Sequence, residues 1–273
     1  MTLTPENFTF VADVVRQRSA IQLDVGKEYL VESRLLPIAR ERGLADVDTY
    51  VRGLRARPDP GQLELVVEAL TTNETSWFRD ATPFTALTQH VVPELIAGRI
   101  AGASLRIWSA ACSTGQEAYS IAMALDEAAP GVRLQITATD LSEQVLARGR
   151  AGRYSQLEIN RGLPAPMLVK HFTRVGTDWE ISQRLRSCVT FQRHNLLHAP
   201  PTGQFDVVFL RNVLIYFDLA TKREVLRRAR SVVRPGGYLL LGAAETTLGI
   251  DDDWERVPVG RSSVYRHNAR RAA

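Results

Sequence analysis

Short apolar runs rich in β-branched residues alternate with helical patterns from about residue 104 onward, and this alternation limits the fold more than any other feature. The candidate strands are SLRIWSA (104–110), RLQITATD (133–140), FDVVFLR (205–211) and GYLLLGA (237–243). Strands separated by helices are typical of a parallel sheet that helices cover. VRPGG (233–237) predicts the end of a helix and a glycine turn into the last strand. We therefore expect an α/β domain with a doubly wound sheet.

Residues 150–192 interrupt this alternation. FTRV, WEIS and CVTF are short strand-like pieces grouped around Gly176-Thr177-Asp178. Two such pieces joined by a glycine-containing turn are typical of a β-hairpin. The stretch therefore predicts a small antiparallel insertion.

The first seventy residues have an all-helical pattern. Thr4 and Pro5 have the form of an N-cap followed by proline at the first helical position. Further segments with a helical period cover residues 27–42, 48–56 and 62–70. Pro58, Pro60 and Gly61 separate the third helix from the fourth. Four short helices predict a small bundle.

A polar run at residues 71–76 ends the helical periodicity and indicates a domain boundary. We expect a helical domain over residues 1–75 and an α/β domain over residues 76–273. The basic tail RHNARRAA (266–273) is expected to be disordered.

Composition excludes several classes of protein. No apolar run approaches the roughly 18 residues that a membrane span needs, and the start MTLTPENFTF lacks the features of a signal peptide. Cys112 and Cys188 have no paired spacing, which argues against a disulfide framework and a structural zinc site. We therefore expect a cytoplasmic protein without membrane insertion and without a metal.

Basic residues are concentrated in one part of the chain. The first 75 residues carry nine basic and twelve acidic side chains, whereas residues 146–193 carry nine basic and three acidic ones. Such a surplus is either a solvated surface or a docking face for an acidic partner, and both interpretations stay open at this point.

The stretch WSAACSTGQEAYS (108–120) follows the first strand. A dinucleotide turn has three spaced glycines, but this stretch has only Gly115, so it is either a different cofactor turn or tight strand-to-helix packing. Cys112 invites comparison with a nucleophile elbow. A nucleophile needs a base, however, and nothing in the sequence couples His194 or His198 to it. A small buried cysteine is the favoured interpretation.

Two further strand exits carry polar side chains. Asp140 ends the second strand 25 residues beyond Gly115, where a carboxylate either accepts both ribose hydroxyls of a nucleotide or caps the next helix. Arg211, Asn212 and Tyr216 follow the strand that begins at residue 205, and they either surround a reacting centre or satisfy the backbone of the loop. The linker NETSWFRD (73–80) contains two aromatic residues and an arginine, unlike a plain linker, and is a candidate site lining.

Six segments in order carry a family resemblance: TTNETSWFRD (71–80), WSAACSTGQEAYSIA (108–122), TATDLS (137–142), HNLL (194–197), FLRNVLIYF (209–217) and VRPGGYLLLG (233–242). Together they resemble the CheR-type glutamate O-methyltransferases of chemotaxis receptors, which use S-adenosylmethionine. The resemblance implies a Rossmann-like class I methyltransferase domain, preceded by an all-helical domain and interrupted by a β-subdomain at about 150–192.

The same resemblance implies the site residues. Those expected to contact the cofactor or line its pocket are Asn73, Thr75, Arg79, Gly115, Glu117, Asp140, Asn195, Leu196, Asn212 and Val213. Within this set Asp140 fits the ribose and Asn195 the adenine side. Arg79 and Tyr216 are the expected catalytic residues, beside the methyl group and the acceptor carboxylate.

Partners also follow from the resemblance. We expect a monomer that methylates the cytoplasmic domain of a chemoreceptor, with arginines of the helical domain either touching acidic receptor helices or solvated. The hairpin RVGTDWEIS (174–182) is shorter than the turn of members that grip a receptor's C-terminal pentapeptide, which predicts independence of that peptide. Gln116 and Trp77 depart from the usual family pattern without undermining the activity.

Two alternative functions are considered. A nucleic-acid methyltransferase suits the basic insertion, but the sequence lacks the motifs of that class. The other alternative is a receptor-binding module that does not bind the cofactor.

Overall fold

The computed structural model describes residues 2–97, 104–260 and 262–268. The chain forms two compact units, Met1–Thr72 with Tyr216–Thr221 and Asn73–Ile215 with Lys222–Ala273. We call the first the helical unit and the second the sheet unit. Within the described ranges, no helix has both the length and the apolar character needed to cross a membrane.

The helical unit contains the four predicted helices. They are α1 (Pro5–Ser19), α2 (Glu28–Glu41), α3 (Val47–Ala56) and α4 (Pro60–Leu70). One prediction was wrong in detail, because Pro60 and Gly61 begin α4 instead of separating it from α3. Proline is tolerated there since the first N–H groups of a helix have no intrahelical acceptor. The Asp59 side chain caps this helix by accepting from the Gln62 N–H at 2.8 Å.

The predicted N-cap Thr4 directs its side chain away from its own helix. Its hydroxyl and its backbone N–H both donate to the carboxylate of Asp48, each at 2.9 Å. Asn7 donates to the same carboxylate at 2.7 Å. These hydrogen bonds, with the Thr4 backbone contribution largest, lower the pKa of Asp48. This carboxylate therefore joins the start of α1 to α3.

The sheet unit is built on ten strands. They are β1 (Ser104–Ala110), β2 (Arg133–Asp140), β3 (Arg153–Tyr154), β4 (Phe172–Val175), β5 (Asp178–Ile181), β6 (Val189–Arg193), β7 (Phe205–Leu210), β8 (Val233–Leu241), β9 (Trp254–Val259) and β10 (Ser262–His267). Seven of them form the main sheet in the order β6-β2-β1-β7-β8-β10-β9. The first five in that order are parallel, and β10 is antiparallel to both neighbours. The predicted doubly wound α/β fold is confirmed.

Helices connect these strands. They are α5 (Ala81–Ala86), a π-helical turn (Leu87–Val91), α6 (Val92–Ile96), α7 (Gln116–Ala128), α8 (Glu143–Ala151), α9 (Gln156–Ile159), α10 (Ala165–His171), α11 (Gln183–Arg186), a 3₁₀ turn (Leu214–Tyr216) and α12 (Leu219–Ser231). The chain runs outward from β1 through β2 to β6 and then crosses to β7 on the other side of β1. The carboxyl ends of β1 and β7 therefore flank the point where the strand order reverses, which is where such sheets bind ligands.

The predicted antiparallel insertion is confirmed, but its extent was wrong. Strands β3, β5 and β4 form a separate three-stranded sheet, with the two residues Gly176 and Thr177 between β4 and β5. CVTF does not join it. Val189 pairs with Ile136, so β6 extends the main sheet as an edge strand parallel to β2.

Two other expectations at the end of the chain were wrong. The predicted helix end before VRPGG is confirmed, because α12 ends at Ser231, but the predicted turn lies inside β8, where the pairing register shifts between Phe205 and Val207 and Gly236 takes a φ of 79°. Strands β9 and β10 were not predicted, and Arg266 and His267 of the expected disordered tail belong to β10. Residues 269–273 of that tail lie outside the described residues.

Most of the surplus basic side chains in residues 146–193 pair with carboxylates of the same chain. Seven of the nine basic side chains form ion pairs: Arg148–Glu158, Arg150–Glu143, Arg153–Glu180, Arg161–Glu74, Lys170–Glu127, Arg184–Asp126 and Arg186–Glu180. Arg174 and Arg193 donate to backbone carbonyls. This pairing weakens the docking-face interpretation and, with it, the nucleic-acid alternative.

Packing around Phe191 leads to a stability prediction. A Cβ added at Gly149 in α8 would lie 2.5 Å from the Phe191 ring, whereas one added at Gly53 in α3 meets nothing within 4 Å among the described residues. We expect Gly149→Ala to lower the free energy of unfolding by about 1–3 kcal/mol, because overpacking outweighs the gain in helix propensity. Gly53→Ala should raise it by about 0.5–1 kcal/mol. Urea unfolding of both variants tests this, and equal effects of the two would contradict it.

Candidate active site

The turn after β1 has an unusual backbone. Ala111, Ser113 and Gly115 have positive φ angles of 59°, 50° and 94°. The first two are not glycine, and each such residue costs of order 1–3 kcal/mol unless its surroundings hold it. The Cys112 N–H donates to the Thr139 carbonyl at 2.9 Å, which fixes the turn against the end of β2. The free N–H groups at the start of α7 follow directly.

Asp140 holds this turn through its side chain. One carboxylate oxygen accepts from the Ser113 N–H at 2.8 Å and the other from the Ser142 N–H at 3.1 Å. The N-cap of α8 is Ser142, whose hydroxyl accepts from the Val145 N–H, so the interpretation of Asp140 as that helix cap was wrong. Asp140 therefore links the turn after β1 to the residue that caps α8.

The segment after β6 lies beside Asp140. The His194 N–H donates to the Asp140 carbonyl at 2.9 Å, and the Asn195 side chain accepts from the Leu197 N–H at 3.0 Å. Asn195 and Leu196 are both half-buried. The loop therefore places an amide group and an apolar side chain near the carboxyl end of β2.

Glu117, in the first turn of α7, pairs with Arg211 at the end of β7. Its carboxylate accepts from the Ser109 hydroxyl at 2.7 Å and from Arg211 Nη1 at 3.0 Å. The other terminal nitrogen of Arg211 donates to the Arg79 carbonyl at 2.7 Å and to Asp80 at 3.1 Å. The Arg211 side chain is only 1% exposed. Burial raises the pKa of Glu117, although the charge of Arg211 opposes the shift.

Glu245 organises the loop after β7. Its carboxylate accepts from the backbone N–H groups of Asn212, Val213 and Leu214 at 2.8, 2.9 and 2.8 Å, and from Gly242 at 2.8 Å. It also raises the pKa of Glu117, as the smallest of several influences. Sequence reasoning missed this residue because it lies 33 positions from Asn212 and belongs to no recognised segment.

The segment 73–80 borders a polar cavity of about 260 Å³. Asn73, Thr75, Thr114 and Gln116 are among its lining residues. The Ser113 hydroxyl donates to the Asn73 carbonyl at 2.7 Å, which fastens this segment to the turn after β1.

Trp77 anchors the same segment from within. It is buried, and its ring lies edge-on to Tyr154 and Phe172 with centroid separations of 4.8 and 5.4 Å. Its backbone N–H donates to the Arg161 carbonyl at 3.0 Å. Trp77 is therefore core, while Arg79 is half-buried and donates to the Glu74 carbonyl at 3.1 Å.

Cys112 does not have the properties of a nucleophile. It is 1% exposed, and burial, with smaller influences of Asp140 and Glu117, raises the pKa of its thiol well above the usual value. A thiol in that state is protonated at neutral pH and unreactive. Nε2 of His194 contacts the Ala199 carbonyl at 2.9 Å. The packing interpretation of Cys112 is the one that the structure supports.

Among the residues that the structure describes, one group of side chains has the spacing of metal ligands. Asp126, Glu127 and His171 offer ligand atoms within 4.8 Å of one another. Lys170 contacts both carboxylates, and Arg184 donates to Asp126 through two nitrogens. These pairs join α7 to α10 and α11.

Comparison with known proteins decides the family. Residues 73–262 match the CheR methyltransferase SAM-binding domain, and residues 6–71 match the CheR methyltransferase all-alpha domain. The chain belongs to the CheR methyltransferase family.

Individual relatives agree with this. The chain is 42% identical to chemotaxis protein methyltransferase Cher2 of Pseudomonas putida over 254 residues, which cover 90% of this chain and 92% of the relative. It is 40% identical to chemotaxis protein methyltransferase 1 of Pseudomonas aeruginosa over 274 residues, covering 97% and 99%. Among solved structures, the N-methyltransferase NodS of Bradyrhizobium japonicum with S-adenosylhomocysteine aligns at a TM-score of 0.42 and 16% identity, covering 73% of this chain and 94% of that one. The protein is an S-adenosylmethionine-dependent methyltransferase with the two domains of the CheR family.

The residues expected from the CheR resemblance fall into separate groups in the sheet unit. Asn73 and Thr75 line the cavity, Asp140 accepts from the backbone N–H groups of Ser113 and Ser142, and Glu117 pairs with Arg211. The remaining members lie at the turn and in the loops after β6 and β7: Gly115, Asn195, Leu196, Asn212 and Val213. Tyr216 ends the 3₁₀ turn and groups with the helical unit, so its role beside Arg79 stays a prediction.

Cofactor affinity should depend on the ionisation of Glu117. Because its pKa is raised, the carboxylate takes up a proton at a higher pH than an ordinary glutamate, and a neutral carboxyl group no longer attracts a cation. We expect affinity for S-adenosylmethionine to fall relative to that for neutral-sulfur S-adenosylhomocysteine as the pH is lowered from about 7 to about 5. In Glu117→Gln this difference should disappear, which calorimetry over that range checks.

The same shift has a consequence for stability. A carboxyl group with a raised folded-state pKa stabilises the fold below its unfolded pKa, and this contribution is lost as the pH rises through the folded value. The ionised form of Glu117 therefore lowers the free energy of unfolding at neutral pH.

The affinity prediction has a clear contrary outcome. A ratio of S-adenosylmethionine to S-adenosylhomocysteine affinity that does not change with pH in the unmodified protein would contradict the predicted role of Glu117.

Proposed function

We propose that this protein transfers the methyl group of S-adenosylmethionine to glutamate side chains in the cytoplasmic helices of chemoreceptors, giving glutamate methyl esters and S-adenosylhomocysteine. The observation that carries the proposal is the buried ion pair between Glu117 and Arg211 beside the switch point, with Asp140 holding the turn that precedes Glu117. The names of the relatives support a chemotaxis substrate.

The charges of this region fit the cofactor. Three carboxylates, those of Glu117, Asp140 and Glu245, lie around the strand exits, with Arg211 as the buried cation that pairs with one of them. S-adenosylmethionine has a net positive charge, which a site with a surplus of carboxylates favours. Asp140 would hold the ribose and Asn195 the adenine side. The turn after β1 needs no three-glycine pattern, since this cofactor has no pyrophosphate.

Chemically, the acceptor needs little activation. A glutamate carboxyl has a reference pKa near 4.3, so at neutral pH it is already a carboxylate and no general base is required. When bound, S-adenosylmethionine supplies a methyl group on a cationic sulfur, which keeps the bonding electron pair as the methyl passes to a carboxylate oxygen. The chain contributes position and exclusion of water. Arg79 orients the acceptor carboxylate through its planar fork.

We further propose that a C-terminal receptor pentapeptide is not required. The turn between β4 and β5 has only the two residues Gly176 and Thr177, which supports a hairpin without a peptide-gripping extension.

Labelled methyl transfer onto receptor cytoplasmic fragments, with and without their last five residues, tests both proposals. We expect base-labile label on glutamates in both fragments at similar rates. Fragments whose methylated glutamates are changed to glutamine are the control. Absence of label would overturn the function, and label on the longer fragment alone would overturn the independence.

A further inference from the structure

Glu245 lies where the exits of β7 and β8 meet, outside the residues that the family resemblance assigns. One carboxylate oxygen accepts from Gly242 and Asn212, both at 2.8 Å, and the other from Val213 at 2.9 Å and Leu214 at 2.8 Å. An ionised carboxylate is an acceptor only, with about four lone-pair positions. Four N–H donors thus match the full acceptor capacity of this one side chain.

The loop that these bonds hold is not in a relaxed conformation. Asn212 has a φ of 56°, in the left-handed region that glycine adopts freely and that asparagine tolerates better than most other residues, though still at a cost. Such a conformation persists only where the surrounding structure over-determines it. Glu245 accepts hydrogen bonds from the backbone of Asn212 and of the next two residues, and these bonds hold the conformation in place.

Gly242 shows how closely the two exits approach. A Cβ at this position would lie 2.7 Å from the Glu245 carboxylate, 2.9 Å from the Asn212 amide nitrogen and 3.0 Å from the Asn212 backbone nitrogen. Real side chains do not tolerate such distances, so only glycine permits the contact. The contact between the two strand exits therefore needs two residues together, the carboxylate of Glu245 and the glycine at position 242.

We propose that Glu245 is a positioning residue for methyl transfer, holding loop 212–214 in the geometry that the reaction requires. The inference rests on the proposed function, because it gives this loop its role at the reacting centre. Glu245 is half-buried, and a small carboxylate can replace its side chain once that side chain is removed.

Formate rescue of a truncated side chain tests the inference in the full-length protein. Glu245→Ala leaves the four N–H groups without their carboxylate, and we expect kcat to fall about 10- to 100-fold, as for small misplacements in other active sites. Added formate should restore a large part of kcat, while chloride at equal ionic strength should not. Glu255→Ala, which removes an exposed glutamate of β9, is the matched control and should keep full activity.

Two outcomes overturn the inference: a kcat for Glu245→Ala within about twofold of the unmodified protein, or a loss that formate does not relieve. Failure of the proposed function is separate, since the unmodified protein would then not label receptor glutamates. In that case amide hydrogen exchange still tests whether Glu245 holds loop 212–214. Faster exchange at residues 212–214 in Glu245→Ala, slowed again by formate, supports this role. Unchanged exchange overturns it.

Discussion

Arg211→Met is expected to lower the free energy of unfolding of the sheet unit by about 3–5 kcal/mol, the cost of leaving a buried charge without its partner. Glu117 would lose its counter-ion, and the Arg79 carbonyl and Asp80 would lose their donor. The Glu117 side chain is only 12% exposed, so water replaces its lost contact poorly, whereas Asp80 is 40% exposed and stays solvated. Urea unfolding followed by tryptophan fluorescence measures the change.

A matched exposed pair serves as the control for Arg211. Arg184 also donates to a carboxylate through two nitrogens, but its side chain is 59% exposed. Arg184→Met should therefore cost less than about 1 kcal/mol. The double variant Arg211→Met with Glu117→Leu removes both charges and should recover much of the loss. A loss for Arg211→Met no larger than that for Arg184→Met would contradict the account.

The parts of the fold that the sequence predicts best are those whose signal is local. The bounds of β1 and β2 agree with the predicted strands, because each segment contains alternating apolar and polar residues, the local pattern of a strand. CVTF was assigned to the wrong sheet because nothing in four residues distinguishes an edge strand of a parallel sheet from one arm of a hairpin. Its partner Ile136 is more than fifty residues away, and only the folded chain shows the pairing.

The candidate site divides in the same way. Asp140 is the last residue of β2, so a fold-level argument finds it. Glu117 lies in the first turn of α7 and came only from the family resemblance. Arg211 was noticed as a polar residue at a strand exit, but its partners Glu117 and Arg79 lie 94 and 132 positions away. Glu245 gave no signal at all, since its function lies in accepting from backbone groups, and every non-proline residue has such groups. Interactions with the backbone are therefore the part of a site that sequence patterns describe least.

Arg79→Ala is expected to reduce methyl transfer by about 10²- to 10³-fold while changing affinity for S-adenosylhomocysteine by less than about threefold. The variant is a clean test, because Arg211 holds the carbonyl of Arg79 and not its side chain. The Arg79 side chain donates to the Glu74 carbonyl. Removing it should leave the segment in place and take away only the group proposed to orient the acceptor carboxylate.

Two further variants separate orientation from charge. Arg79→Lys keeps the positive charge but not the planar fork that binds both oxygens of a carboxylate, so it should recover binding of the receptor fragment more than kcat. Arg161→Ala removes a neighbouring arginine that pairs with Glu74 and is 51% exposed, and it should keep nearly full activity. Unimpaired transfer by Arg79→Ala would remove this residue from the mechanism. A parallel loss of cofactor affinity would instead make it a cofactor ligand, because an interaction made only with the acceptor leaves cofactor binding unchanged.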